Sequence, residues 1–108
     1  MAQWGGRAVL SAVLEDDTSG DRTLLAVAAT KQVRIFRVSY TPDANVTADV
    51  QIEVGSTAIH RISNPKAGVE YGFNVTPHFI LGALGEDVIV NFVGDTTNAQ
   101  MNLIYELI

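Results

Sequence analysis

Val46-Thr47-Ala48-Asp49-Val50-Gln51-Ile52-Glu53-Val54 is the stretch that decides the fold. Val46, Ala48, Val50, Ile52 and Val54 take alternate places, and Thr47, Asp49, Gln51 and Glu53 fill the gaps. Successive side chains of a strand point to opposite faces, so this pattern predicts an antiparallel strand with one face in a core. The polar set should then be exposed or lie at an interface. Helical spacing fits the segment less well.

The same period returns in Val69, Tyr71, Phe73 and Val75, and in Val88, Val90 and Phe92. It closes the chain with Ala99, Met101, Leu103, Tyr105 and Leu107. Val50, Ile52, Phe73, Val90, Phe92, Leu103 and Tyr105 are therefore the expected core. Four more strands are expected. Arg7–Leu14 and Thr23–Thr30 are apolar on both faces, as strands covered on two sides would be. Gln32–Tyr40 starts with Val33 and Ile35 on one face and then shifts to Phe36, Val38 and Tyr40. That phase change predicts a β-bulge near Ile35–Phe36. Thr57–Ile62 is short and reads as an edge strand.

Turn residues separate these runs at Asp16–Asp21, Thr41–Asn45, Gly55-Ser56, Asn64–Gly68 and Gly94–Asn98. No segment longer than a turn reads as helix. The expectation is an all-β chain, a single jelly-roll or Greek-key β-sandwich of about eight antiparallel strands over residues 1–108. Residues 1–6 are expected to form a flexible N-terminal arm.

Composition narrows the function classes. Hydrophobic residues make up 47% of the 108, as in a globular domain, and with no cysteine there is no disulfide or thiolate metal site. Seven Lys and Arg against twelve Asp and Glu give a net charge of −5, which repels nucleic-acid phosphates. Ala8–Leu14 is too short to span a bilayer, and Glu15-Asp16-Asp17 follows where a leader would place small residues. A chain made in the cytoplasm, binding neither nucleic acid nor membrane, is expected.

No catalytic, cofactor-binding or metal-ligating set emerges, so an enzyme is not expected. His60 and His78 are the only histidines and have no ligand spacing around them. Asp16, Asp17 and Asp21 lack the order of a calcium loop and read as a hairpin turn. Glu86 and Asp87 are neighbours, which a strand would point to opposite faces. Ser56 and Ser63 lie near His60 without a nucleophile elbow. The sequons at Asn45 and Asn74 occur without a secretion signal.

Apolar material in unexpected places suggests contacts. Pro77–Gly85 is too apolar for an ordinary connection, and predicts either a corner plugging the sandwich or a surface buried by another subunit. The candidate interface residues are Trp4, Val9, Val13, Leu24, Ala26, Phe79, Ile80, Leu81 and Leu84. Trp4 qualifies because tryptophan is enriched at interface hot spots, and Val9, Val13, Leu24 and Ala26 because they are placed on an apolar outer face.

From Ser19 onward the chain resembles small virion proteins of tailed bacteriophages. The resemblance runs through Ser19-Gly20-Asp21, the stretch Thr23–Tyr40, Gly55-Ser56-Thr57-Ala58-Ile59, Gly85-Glu86-Asp87-Val88-Ile89-Val90 and Leu103-Ile104-Tyr105-Glu106-Leu107. It covers nearly the whole chain beyond Ser19, though these are β-sandwich punctuation marks and not a catalytic signature. The resemblance implies a single jelly roll that decorates or cements the outer capsid surface. Its partners would be the major capsid protein and copies of itself, as a trimer first and a dimer second. The alternative expectation is a carbohydrate- or receptor-binding β-sandwich module.

Overall fold

The computed structural model describes residues 3–4, 7–14, 20–93 and 98–108. Ten strands follow in order: β1 (Gln3–Trp4), β2 (Arg7–Leu14), β3 (Gly20–Leu25), β4 (Val33–Pro42) and β5 (Asp49–Val54), then β6 (Thr57–Ser63), β7 (Tyr71–Asn74), β8 (Ile80–Leu81), β9 (Val88–Phe92) and β10 (Ala99–Leu107). No helix occurs among the described residues.

Pairing is nested. β5 pairs with β6, β4 with β7, β3 with β9 and β2 with β10, all antiparallel. This ladder is rolled so that β10 also pairs with β4, and β9 with β5. The result is one sheet in the order β1-β2-β10-β4-β7, with β8 also on β4, and a second in the order β3-β9-β5-β6. A nested ladder rolled into two sheets is a jelly roll, as expected. Gln3–Trp4, within the expected arm, pairs with Ala8 and Arg7.

The inner faces follow the period-two reading. Val50, Ile52 and Val54 of β5, Val88, Val90 and Phe92 of β9, and Ala99, Met101 and Leu103 of β10 join one buried cluster with Val33, Ile35, Val38 and Tyr40 of β4. Each such large side chain contributes about 1.5–3 kcal/mol by leaving water. Phe73 and Tyr105 pack against this cluster but are only half-buried. Phe73 is limited because β7 lies at a sheet edge. Of the polar set, Thr47 is exposed, and Asp49, Gln51 and Glu53 are half-buried.

Several boundaries differ from the sequence reading. β5 begins at Asp49, and Val46 reaches the core from the loop before it, its N–H donating to the Pro65 carbonyl at 2.9 Å. Val69 precedes β7 and is exposed. β3 stops at Leu25, short of Thr30, because the Asp87 carboxylate takes the Val27 N–H at 2.7 Å. Side-chain capping there competes with strand pairing. β6 is the edge of its sheet, as expected.

The bulge falls where the phase change put it. Tyr105 pairs with Ile35 and the preceding residue, Ile104, with Arg37, leaving Phe36 without a partner on β10. One extra residue restores the inward phase, so Val33, Ile35, Val38 and Tyr40 all face the core. Phe36 itself belongs to neither set. The sequence grouped it with Val38 and Tyr40, yet it lies on the outer side of the sheet, buried but outside the core cluster.

The apolar stretch from Pro77 to Gly85 completes the edge beside β4. β7 pairs with Arg37–Tyr40 and β8 with Arg34 and Ile35, so the two are halves of one edge strand. Residues 75–79 arch out between the halves, opposite the bulge. The arch is held by Val75 N–H to the Phe36 carbonyl at 2.9 Å and His78 N–H to the Val75 carbonyl at 2.7 Å. Gly82 then passes so close to Val54 and Val33 that a side chain there would collide with both.

Candidate interaction surface

The outer face of the larger sheet is built from the odd residues of β2, the even residues of β10 and the outward residues of β4. Leu10 and Ala12 pack on the core, so Arg7, Val9, Ser11 and Val13 point away from it. By register, Val9 lies opposite Ile104 and Ile104 opposite Arg37, while Ser11, Asn102 and Ser39 form the next row. That second row is hydrogen-bonded across the strands. The Ser11 hydroxyl donates to Asn102 Oδ1 at 2.7 Å, and Asn102 Nδ2 donates to Ser39 Oγ at 3.2 Å.

Beside this ladder sits an arginine–aromatic platform. The Phe36 ring, displaced outward by the bulge, is capped by the Arg7 guanidinium 3.7 Å from its centroid. Phe79 descends from the arch and meets Phe36 edge-on, with centroids 5.8 Å apart. The Arg34 guanidinium lies 4.8 Å from the Phe79 ring. Guanidinium groups attract the negative faces of aromatic rings, and stacking leaves their in-plane N–H donors free to bond elsewhere. Arg34 uses Nη1 on Glu106 at 2.7 Å, while its buried Nε has no acceptor. Arg37 lies 3.4 Å from Glu70, and Arg7 has no carboxylate partner among the described residues.

Among the described residues two clefts flank the larger sheet. One of about 430 Å³ lies over the β4–β7 pair, between Arg37, Glu70, Tyr71, Gly72, Phe73 and Asn74. The other, of about 610 Å³, lies at the far end between Val13, Pro42, Ala67 and Gly68, with Asp43, Asn98 and Gln100 as polar members. No aromatic ring lines this larger cleft among the described residues, and a ring is what usually stacks a sugar.

The opposite face, on the smaller sheet, is polar and acidic. Asn91 donates to the Asp21 carboxylate, and Arg61 lies 3.8 Å from Asp49. Burial, and secondly the charge of Asp21, push the Glu53 carboxyl above its usual value.

The interface candidates named from sequence scatter over this body. Val13, Leu81 and Leu84 are exposed at 64, 51 and 63%, and Phe79 at 43%. Ala26 is exposed and Val9 half-buried. Ile80 is half-buried against the core. Leu24 is corrected: it is not on an outer face but in the core, because β3 turns it toward the opposite sheet. Of the candidates whose side chains are described, only Phe79 joins the platform. Arg7, Arg34 and Phe36 complete it and were not among them. The phase change at Ile35–Phe36 was the signal that could have found Phe36. The side chain of Trp4, and Asp16 and Asp17, lie outside the described residues.

Five of the residues weighed for chemistry have structural partners. His60 meets the Phe73 ring edge-on at 5.6 Å. Glu86 accepts the Ala83 N–H at 2.7 Å, and Asp87 holds Val27. Asn45 and Asn74 accept the N–H groups of Ala67 and Thr76. Among the described residues no group of three or more His, Cys, Asp or Glu could hold a metal ion, and no helix is long and apolar enough to cross a membrane.

The fold and surface define a jelly-roll sandwich with an arginine–aromatic platform on one outer face. Compared with protein-family models, curated proteins and solved structures, the chain matches none.

Proposed function

We propose that this chain is a structural virion protein that decorates or cements a bacteriophage capsid, with the major capsid protein as partner. It would act on the outer capsid surface as a closed oligomer, a trimer first and a dimer second. The observation that carries the reading is the platform of Arg7, Phe36, Phe79 and Arg34, with exposed Leu81 in the strand that leaves it. Arginine and aromatic side chains are the residues that protein interfaces concentrate, and they dominate binding energy there. The resemblance of Ser19–Tyr40 and Gly85–Val90 to phage virion proteins supplies the direction. Small β-proteins also hide strand edges and spare apolar surface by closed assembly.

Two measurements test this. Purified protein should co-sediment with heads assembled from the major capsid protein of the phage that carries its gene, and failure to do so overturns the decoration reading. Analytical ultracentrifugation at micromolar concentration should show a closed oligomer. A monomer there overturns the oligomer and leaves decoration standing, since subunits can assemble only on the shell.

A further inference from the structure

We propose that the platform on the outer face of the larger sheet is a receptor for an acidic, extended segment of a partner protein. The inference rests on the decoration reading and names the chemistry of what is bound.

Charge placement is the first argument. Seven Lys and Arg are spread over a chain of net charge −5, yet Arg7, Arg34 and Arg37 share this one face. Glu106 and Glu70 answer two of the three, so the face stays net positive on an acidic protein. Among the described residues Arg7 has no carboxylate partner and carries the charge left open to a ligand. A carboxylate is the acceptor whose geometry fits a guanidinium edge, through two parallel N–H···O bonds.

Preorganisation is the second argument. Arg7 lies on Phe36 and Arg34 beside Phe79, so both guanidiniums are held in place before anything binds. Little side-chain entropy is then left to lose on association. Phe79 and Leu81 add exposed apolar surface next to the charges. A bound segment should therefore carry both carboxylates and an apolar side chain.

The third argument is shape. A cleft lies over the β4–β7 pair between Arg37 and Asn74, and among the described residues β7 has no neighbour on its outer edge. An extended chain is the form that lies along such an edge. Nucleic acid fits worse, because Glu70, Glu106 and the overall negative charge oppose a phosphate chain.

The probe is a fluorescein-labelled peptide of glutamates around one phenylalanine, with a glutamine version as control, followed by fluorescence anisotropy. The wild-type protein should bind the glutamate peptide, and binding should weaken several-fold as salt rises. Arg7→Ala should weaken it about tenfold, Arg7→Lys less, and Arg61→Ala, on the opposite sheet, not at all. Melting curves of each variant separate lost binding from lost folding, and Arg7→Lys keeps the test decisive if Arg7→Ala unfolds.

No binding of the glutamate peptide, equal binding of the glutamine peptide, or Arg7 variants that bind as wild type would overturn the proposal. Tighter binding of an oligo-dT strand would overturn it in favour of nucleic acid. Co-sedimentation with heads that survives Arg7→Ala sinks this surface and spares decoration, whereas no co-sedimentation of the wild type sinks decoration itself.

Discussion

Phe92→Ala tests the inward phase of the second sheet. Phe92 is 2% exposed in β9, a strand held on one side by Gly20 of β3 and on the other by Val50 of β5. Its ring tilts against Tyr40 of the facing sheet with centroids 6.3 Å apart. Truncation removes a whole ring from between the sheets. Because β9 is tied on both edges, its backbone cannot settle into the space, so the cost should fall in the range of about 3–5 kcal/mol seen for buried Phe→Ala changes. A domain of this size has roughly 5–15 kcal/mol in total, so the loss is a large share of its stability. In urea denaturation followed by far-UV circular dichroism, the midpoint should drop by about 2 M with the slope unchanged. Phe79→Ala is the matched control, since its ring is partly exposed on the outer face and should cost only about 1–2 kcal/mol. If Phe92→Ala melts like the wild type, or costs no more than Phe79→Ala, the facing of β9 argued here is wrong.

Three further outcomes follow from single contacts. Gly72→Ala should destabilise by at least about 1–3 kcal/mol in thermal melts, because φ is 142° there and a Cβ would run into the Val38 carbonyl oxygen. Asp87→Ala should cost about 1–3 kcal/mol, since it removes the acceptor of the part-buried Val27 N–H, and faster amide exchange at Val27 would report the same loss. Glu53→Gln should raise the melting temperature at neutral pH. Its carboxyl is held above the usual 4.5 by burial and by Asp21, so ionisation penalises the folded state as pH rises through the raised value. That gain should vanish below pH 4.5, where both states are protonated, and a gain that persists in acid refutes the assignment.

Much of the fold was legible because burial writes a period of two into a strand. β5, β9 and β10 could be read almost residue by residue, and the bulge in β4 declared itself as a slip in that period. The slip did not say which residue would leave the inner face. That depends on the neighbouring register, which Tyr105 and Ile104 set from 68 residues or more away in sequence. The same blindness explains the platform. Arg7, Phe36 and Phe79 come from three strands or connections whose pairing no local pattern announces. Leu24 was misplaced because a strand apolar on both faces carries no phase at all. Val46 and Val69 kept the alternation past the ends of their strands, where nothing in the backbone obliges them to follow it.

The position of β10 carries a consequence for synthesis. It lies between β2 and β4, so the larger sheet has a gap at its centre until residues 99–107 have left the ribosome. Before then the hairpin of β5 and β6 can form, since its strands are joined by a tight turn, while β2 and β4 wait with unpaired edges. Closing the pairs β4 with β7, β3 with β9 and β2 with β10 spans ever longer stretches of chain, which makes folding slow and leaves nascent strands open to pairing between chains. The larger sheet therefore closes only once β10 is free to pair, and crowding on a polysome is the condition under which this chain is most exposed to aggregation.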